Sequence, residues 1–180
     1  MRTFVIADLH FGHEKIVKFE KEGKPLRPWD DVDEMNKVLV SNWNAVVGDK
    51  DLVYVLGDFT VNGKHVWLAQ ELRGRKVLVK GNHDTAKLAE YAEYFEDVIA
   101  CRVLDWAILT HIPIHPMELG RFKHNIHGHL HDKRVPLMCD SQHPALLQIV
   151  ADPAYTCVSV EQTGYKPMDI QEIYERVRAG

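Results

Sequence analysis

Cysteine is scarce in this 180-residue chain: Cys101, Cys139 and Cys157 are odd in number, and no two stand at C-x-x-C spacing. That excludes a disulfide framework and a thiolate zinc knot, and it predicts a reducing, cytoplasmic setting. Long apolar runs are missing as well, and none approaches the ~20 residues of a transmembrane helix. The opening run Phe4-Val5-Ile6-Ala7 is cut short by Asp8, which predicts no secretory leader. Basic charge is not in excess. Twenty-two Lys and Arg against 26 Asp and Glu leave a net charge of −4, which excludes a protein that coats nucleic acid without sequence preference. Repeats and low-complexity tracts are absent too. What the chain has in abundance is histidine, with eleven residues.

Apolar residues make up 46% of the chain, enough for one large core and one domain spanning residues 1–180. Short runs rich in β-branched residues each stop at a polar cluster. Phe4–Ala7 runs into Asp8-Leu9-His10, Leu52–Leu56 into Gly57-Asp58, Val77–Val79 into Gly81-Asn82-His83-Asp84, and Ala107–Leu109 into Thr110-His111. Uninterrupted apolar runs of this length predict strands buried on both faces. Between them, Val32, Met35, Val38, Leu39, Trp43 and Val46 fall on one helical face, with Asp30 as the expected N-cap. Shorter helices are expected over 65–72 and 85–95, and a last one after Asp169. Beyond Phe95 the strands come closer together, with Val98–Cys101 among them, and a second, mostly antiparallel sheet is expected. Residues 11–51 form an insertion between the first two core strands, and residues 132–154, with Pro136, Pro144 and Pro153, a loop excursion. The alternation of strand and helix predicts an α/β layered domain.

The polar clusters share a position: each stands where a buried strand ends, the place where open α/β sheets gather ligands. Their side chains are nitrogen and oxygen donors suited to Mn, Fe, Zn or Ni, with no thiolate among them. Glycines stand beside three clusters (Gly57, Gly81, Gly128), as a sharp turn or a close ligand requires. His127-Gly128-His129-Leu130-His131 packs three histidines into five residues, a poor way to build a core. On a strand these alternate positions would share one face.

The ordered set Asp8-x-His10, Gly57-Asp58, Gly81-Asn82-His83-Asp84, Thr110-His111 and Gly128-His129-x-His131 resembles the calcineurin-like metallophosphoesterase superfamily. The opening Asp-Leu-His-Phe-Gly-His is similar to its small bacterial and phage branch. The resemblance implies a four-layer α-β-β-α sandwich of two mixed sheets flanked by helices, with a dinuclear metal site at the C-terminal ends of the strands. It implies one divalent ion on Asp8, His10, Asp58 and His131, and a second on Asp58, Asn82, His111 and His129, with Asp58 bridging. Mn²⁺ is the expected metal, with Fe, Zn and Ni as alternatives. It also implies hydrolysis of a phosphate ester by a metal-bridging hydroxide, with His83 protonating the leaving group or steadying the charge that builds on it, and Asp84 orienting His83. The charges are consistent with that reading: two divalent ions, two carboxylates and one hydroxide leave about +1 to receive a phosphate oxygen.

Outside this set, His13 and Arg27 are candidate substrate-binding residues, one beside the first cluster and the other presented by Pro25-Leu26-Arg27-Pro28. His115 is a weaker neighbour. After Gly57-Asp58 stands Phe59-Thr60-Val61, where the protein serine/threonine phosphatases of the superfamily carry an Asp-Arg pair that binds phosphate. The resemblance to small members of the superfamily, together with that missing pair, implies a phosphodiester on a nucleotide or a nucleic-acid end as the expected substrate. The alternatives are a monoesterase using the same site, a zinc hydrolase acting on amides or lactones, and a non-catalytic metal-binding scaffold. No membrane association and no obligate protein partner are expected, and the oligomeric state is not legible.

Overall fold

The structure, a computed structural model, describes residues 1–137 and 150–179. Cys139, His143 and Pro144 lie outside the described residues, as does the middle of the expected excursion at 132–154. The flanks of that excursion meet at an isolated bridge between Pro136 and Ala151.

Four apolar runs form the expected strands. The first, β1 (Thr3–Ile6), is followed by a short 3-10 turn at Ile16–Lys18, a small hairpin of β2 (Glu20–Lys21) and β3 (Lys24–Pro25), and helix α1 (Val32–Val46). Then come β4 (Leu52–Val55), a 3-10 segment at Val66–Glu71, β5 (Arg75–Val79), α2 (Leu88–Ala92) and β6 (Asp97–Ile99). The second half holds β7 (Arg102–Val103), β8 (Ile108–Leu109), α3 (Leu119–Phe122), β9 (Asn125–His127), β10 (Tyr155–Cys157), α4 (Val160–Thr163), β11 (Met168–Asp169) and α5 (Ile170–Ala179). The cap of α1 is Asp31, one residue beyond the expected Asp30; its carboxylate accepts from the Asp33 amide at 3.0 Å. Asp169 does cap the last helix, through the Gln171 amide at 2.9 Å.

Two mixed sheets result. The larger runs β11-β1-β4-β5-β6, with β1, β4, β5 and β6 parallel and β11 antiparallel at its edge. The smaller runs β10-β9-β8-β7. Two expectations need correction here. The Val98 run, β6, belongs to the first sheet, because α2 carries the chain over from β5 and such a crossover delivers a parallel neighbour. The second sheet is not mostly antiparallel: β8, β9 and β10 pair in parallel, and only β7 against β8 is antiparallel. Apolar runs report burial but do not encode strand direction.

Side-chain alternation explains why the first-sheet strands read as uninterrupted apolar runs. Phe4, Ile6, Val53, Val55 and Leu78 face α1 (Met35, Leu39, Trp43) and the 3-10 segment (Leu68, Ala69). Their neighbours Val5, Tyr54, Leu56, Val77 and Val79 face Leu109, Ile126 and Val158 of the second sheet region. The molecule is thus helices, sheet and sheet in layers, with further helices at the margins. Its parallel strands end side by side. Among the described residues no helix is long and apolar enough to cross a membrane.

His124 precedes β9 and is buried at 2% exposure, its Nε2 2.9 Å from Thr156 Oγ1. Burial pushes its pKa down to about 4. The unfolded chain takes up that proton near pH ~6.5. Stability from this group is therefore complete above ~6.5 and falls as the pH drops toward 4, where the unfolded state binds a proton the folded state refuses. In chelator, the urea midpoint of His124→Gln should fall less between about pH 7 and about pH 4.5 than that of the parent. Parallel declines would contradict the assignment.

Candidate metal centre

Every cluster expected to carry chemistry lies at the C-terminal end of a strand. Asp8 and His10 follow β1, Asp58 follows β4, Asn82 and His83 follow β5, His111 follows β8, and His129 and His131 follow β9. Five of these residues have left-handed backbone: Asp8 (φ 58°), His10 (φ 51°), Asp58 (φ 53°), His129 (φ 70°) and His131 (φ 52°). Such conformations cost about 1–3 kcal/mol each and persist where the surroundings enforce them. The enforcement is visible as cross-links between strand ends. The Asp8 amide donates to Gly57 O at 3.0 Å, and the His10 amide to Asp58 O at 2.9 Å. Asp8 Oδ2 accepts from the His129 amide at 2.8 Å and from Ser159 Oγ at 2.7 Å. Gly128 allows this closeness, since a Cβ there would sit 2.5 Å from Ala7 Cβ and 2.7 Å from Asp8 Oδ2.

These turns correct the reading of the histidine triplet. The strand stops at His127, which is buried with Nδ1 2.7 Å from Gly128 O. Beyond it the left-handed residues break the alternation, so the three rings do not share a face. His131 joins Asp8 and His10, and His129 joins Asp58 and His111, each trio able to bring ligand atoms within 4.8 Å of one another. The two trios meet at Asp58. Its Oδ2 is 3.6 Å from His10 Nε2 and 3.4 Å from His111 Nε2. His10 Nε2 is also 3.9 Å from Asp8 Oδ1. Donors that share one ion at ~2.1 Å bond length stand about 3–4 Å apart, which these separations match. Asn82 Oδ1 approaches His111 Nε2 at 2.8 Å, while His111 Nδ1 donates to Leu56 O at 2.9 Å. Leu56 O, Asn82 Oδ1 and Asp58 Oδ2 can all only accept, so both ring nitrogens of metal-free His111 are placed to donate, and a cation among these oxygens would take the Nε2 lone pair in place of that proton.

Burial makes this arrangement costly without a cation. It pushes Asp8 up to about 6, against the pull of His131 and the Ser159 hydrogen bond. At Asp58 burial also raises the pKa, but His111, the His83 amide and His10 together hold it down at about 2. Burial, then the charge of Arg27, keeps His10 well below the ordinary imidazole range. Asp8 Oδ1 and both His10 ring nitrogens are buried with no hydrogen-bond partner among the described residues. Native proteins rarely leave such atoms unpaired. A divalent ion would satisfy Asp8 Oδ1 and His10 Nε2, and the nitrogen and oxygen donor set suits first-row transition metals.

The comparisons with known proteins agree. The family model for calcineurin-like phosphoesterases matches residues 1–117. The chain belongs to the calcineurin-like phosphoesterases. An uncharacterized protein of Methanocaldococcus jannaschii is 32% identical over 189 residues, covering 99% of this chain and 93% of its own. The gene 66 protein of Mycobacterium phage L5 is 34% identical over 88 residues, covering 46% of this chain and 39% of the phage protein. The crystal structure of an Aquifex aeolicus protein of unknown function superimposes with a TM-score of 0.67 at 25% identity, over 97% of this chain and 98% of that one. This calcineurin-like phosphoesterase carries the paired candidate metal groups typical of its family, and the family hydrolyses phosphate esters.

Two expected roles change with the geometry. Asp84 does not face His83. Its buried carboxylate accepts from the amides of Asp58 (2.8 Å), Gly81 (2.9 Å), Phe59 (3.0 Å) and Thr60 (3.4 Å), tying the end of β4 to the end of β5. Arg27 is not a substrate clamp. Its fully buried guanidinium points away from solvent, onto the Asp8 and Leu9 carbonyls and Glu161. A cation flanked by two prolines reads as exposed, and only the tertiary fold turns it inward. His13 does stand at the site, its ring 5.4 Å from that of His10. Burial, then neighbouring His83, lowers its pKa. His115 lies apart as the cap of the 3-10 turn at Pro116–Glu118. Glu161 and Ser159 are functional neighbours that no motif marks; the Ser-x-Glu pair after a strand was their only signal.

Replacing Asp58 with alanine removes a donor of one trio that also lies 3.6 Å from His10 of the other. Elemental analysis of Asp58→Ala is expected to show both ions lost, with the fold intact by circular dichroism. Full metal content in that variant would contradict the bridging placement.

Proposed function

We propose that this phosphoesterase hydrolyses phosphodiesters, with a nucleotide or a nucleic-acid end as the substrate class and Mn²⁺ as its metal. The observation that carries the reading is the meeting of two ligand trios at one carboxylate, Asp58. Asp8, His10, Asp58 and His131 would hold one ion, and Asp58, Asn82, His111 and His129 the other. Two divalent ions so held supply charge neutralisation for phosphate oxygens and a water acidic enough to attack phosphorus at neutral pH.

The protein's own groups do the rest. His83 sits exposed at the mouth, its ring 5.4 Å from His10 and its amide anchored to Asp58 Oδ1 at 2.9 Å. It donates the proton that the departing oxygen needs. His13, its ring likewise 5.4 Å from that of His10, donates a hydrogen bond to a non-bridging phosphate oxygen. Asp84 keeps the loops of β4 and β5 in register and so fixes where His83 stands.

The preference for diesters has two supports. A monoester dianion calls for a cationic clamp, and two of the nearby cations are engaged elsewhere, Arg27 with Glu161 and Lys21 with Asp132. Phe59 and Thr60, which follow Asp58, are buried and uncharged. In addition, a groove of about 460 Å³ leads from His129 and His131 along Phe19, Leu26 and Leu130 to Lys133. It gives the second ester substituent a partly apolar place to lie, suited to a nucleoside.

Bis-p-nitrophenyl phosphate with Mn²⁺ is expected to turn over faster than p-nitrophenyl phosphate, with all activity lost in EDTA. A faster monoester, or no turnover with any divalent ion, would contradict the proposal. His83→Ala should keep its metals yet lose ~10²–10⁴-fold in rate on a diester with an alkoxide leaving group. Unchanged turnover of that ester would remove His83 from the mechanism.

A further inference from the structure

The two halves of the centre are backed differently. In one half, His111 Nδ1 donates to a neutral backbone carbonyl, Leu56 O. In the other, His131 Nδ1 is 3.0 Å from Glu161 Oε1, a carboxylate only 4% exposed. That carboxylate is itself held, since Arg27 reaches Oε1 with Nε and Nη2, both at 2.9 Å. The same guanidinium donates to Leu9 O at 2.9 Å and to Asp8 O, inside the left-handed loop that carries Asp8 and His10. A residue of the insertion between β1 and β4 thus joins the first ligand loop to α4 and, through Glu161, to His131.

We infer that Glu161, fixed by Arg27, is a positioning residue for the Asp8–His10–His131 ion, and that the two metal positions load unequally, this one first. The inference rests on the two-ion reading of the centre. A carboxylate behind a ligating imidazole fixes its tautomer, aims the free nitrogen and raises its basicity, and loss of such a partner typically weakens metal affinity by about 10–100-fold. A carbonyl aims the ring equally well but adds less negative potential, so His111 should gain less than His131. Arg27 serves a second purpose. It offsets the charge of Glu161 and at the same time holds the carbonyls of Asp8 and Leu9, so that Asp8 and His10 converge on the same point as His131. The ion pair is a frame for one half of the site and, among the described residues, has no counterpart behind His111.

The test is stepwise titration of the metal-free protein with Mn²⁺ alone and with Zn²⁺ alone, for the parent, Glu161→Gln and the double variant R27M/E161M. The glutamine oxygen can still accept from His131 and Arg27 but lacks the charge. The double variant replaces the ion pair by apolar groups of similar length, a change that folds tolerate well. The parent should show two unequal affinities. Glu161→Gln should weaken the tighter one by about 10–100-fold and leave the weaker one within about threefold. In Zn²⁺-loaded protein, the ¹⁵N and proton signals of His131 Nδ1–H should lose their carboxylate-bonded shift while those of His111 stay in place, an effect that a merely structural role would not produce. Should Glu161→Gln fail to fold in chelator, the double variant decides, with the same selective loss expected. Equal weakening of both positions, or parental affinities in either variant, would overturn the inference alone. A parent that binds fewer than two ions would overturn the two-ion reading and this inference with it.

Discussion

Asp8 and Asp58 are almost wholly withdrawn from water, and the groups around them are imidazoles and backbone amides. Backbone amides, and imidazoles that give a lone pair to a metal, bring no net charge, so carboxylates held among them call for cations that divalent ions would supply. The rest of the architecture follows from keeping those two carboxylates in place. Parallel strands of two facing sheets end side by side, and the ends of β1, β4, β5, β8 and β9 each contribute one or two donors. Left-handed turns at Asp8, His10, Asp58, His129 and His131 fold the donors back over the sheet ends. The strain in those turns is offset by hydrogen bonds that run between strand ends rather than along them.

A division of labour among the acidic residues emerges. Asp8 and Asp58 present oxygen to the centre, Asp84 binds four amides and presents none, and Glu161 stands behind a histidine. Chemically these are the same group. What separates their roles is what each one meets, whether an unpaired imidazole nitrogen, a row of N–H donors or a guanidinium. On the proposed reading the substrate would face the side where His83 and His13 stand beside His10, and the groove past Phe19 and Leu130 begins at His129 and His131.

Much of the centre was legible in the sequence because its donors lie within a few residues of strand ends, and the apolar runs mark those ends. Asp8, His10, Asp58, His111, His129 and His131 could be listed from that rule and from the resemblance to the family. The roles of Arg27, Asp84 and Glu161 were not legible. Arg27 meets Glu161 across 134 residues, and Asp84 turns from its neighbour His83 toward amides about 25 residues back. Contacts of that span leave no local pattern. Strand direction in the second sheet escaped for a similar reason, since burial is written in the apolar runs and pairing is not. The histidine triplet misled because a two-residue alternation holds only while the backbone stays extended, and here it stops at His127.

Asp58 is proposed to join two ions into one centre. Electron paramagnetic resonance of the protein at saturating Mn²⁺ tests it most directly. The account predicts the multiline spectrum of two exchange-coupled Mn²⁺ ions sharing ligands. Only the hyperfine pattern of isolated Mn²⁺ at full loading would contradict it.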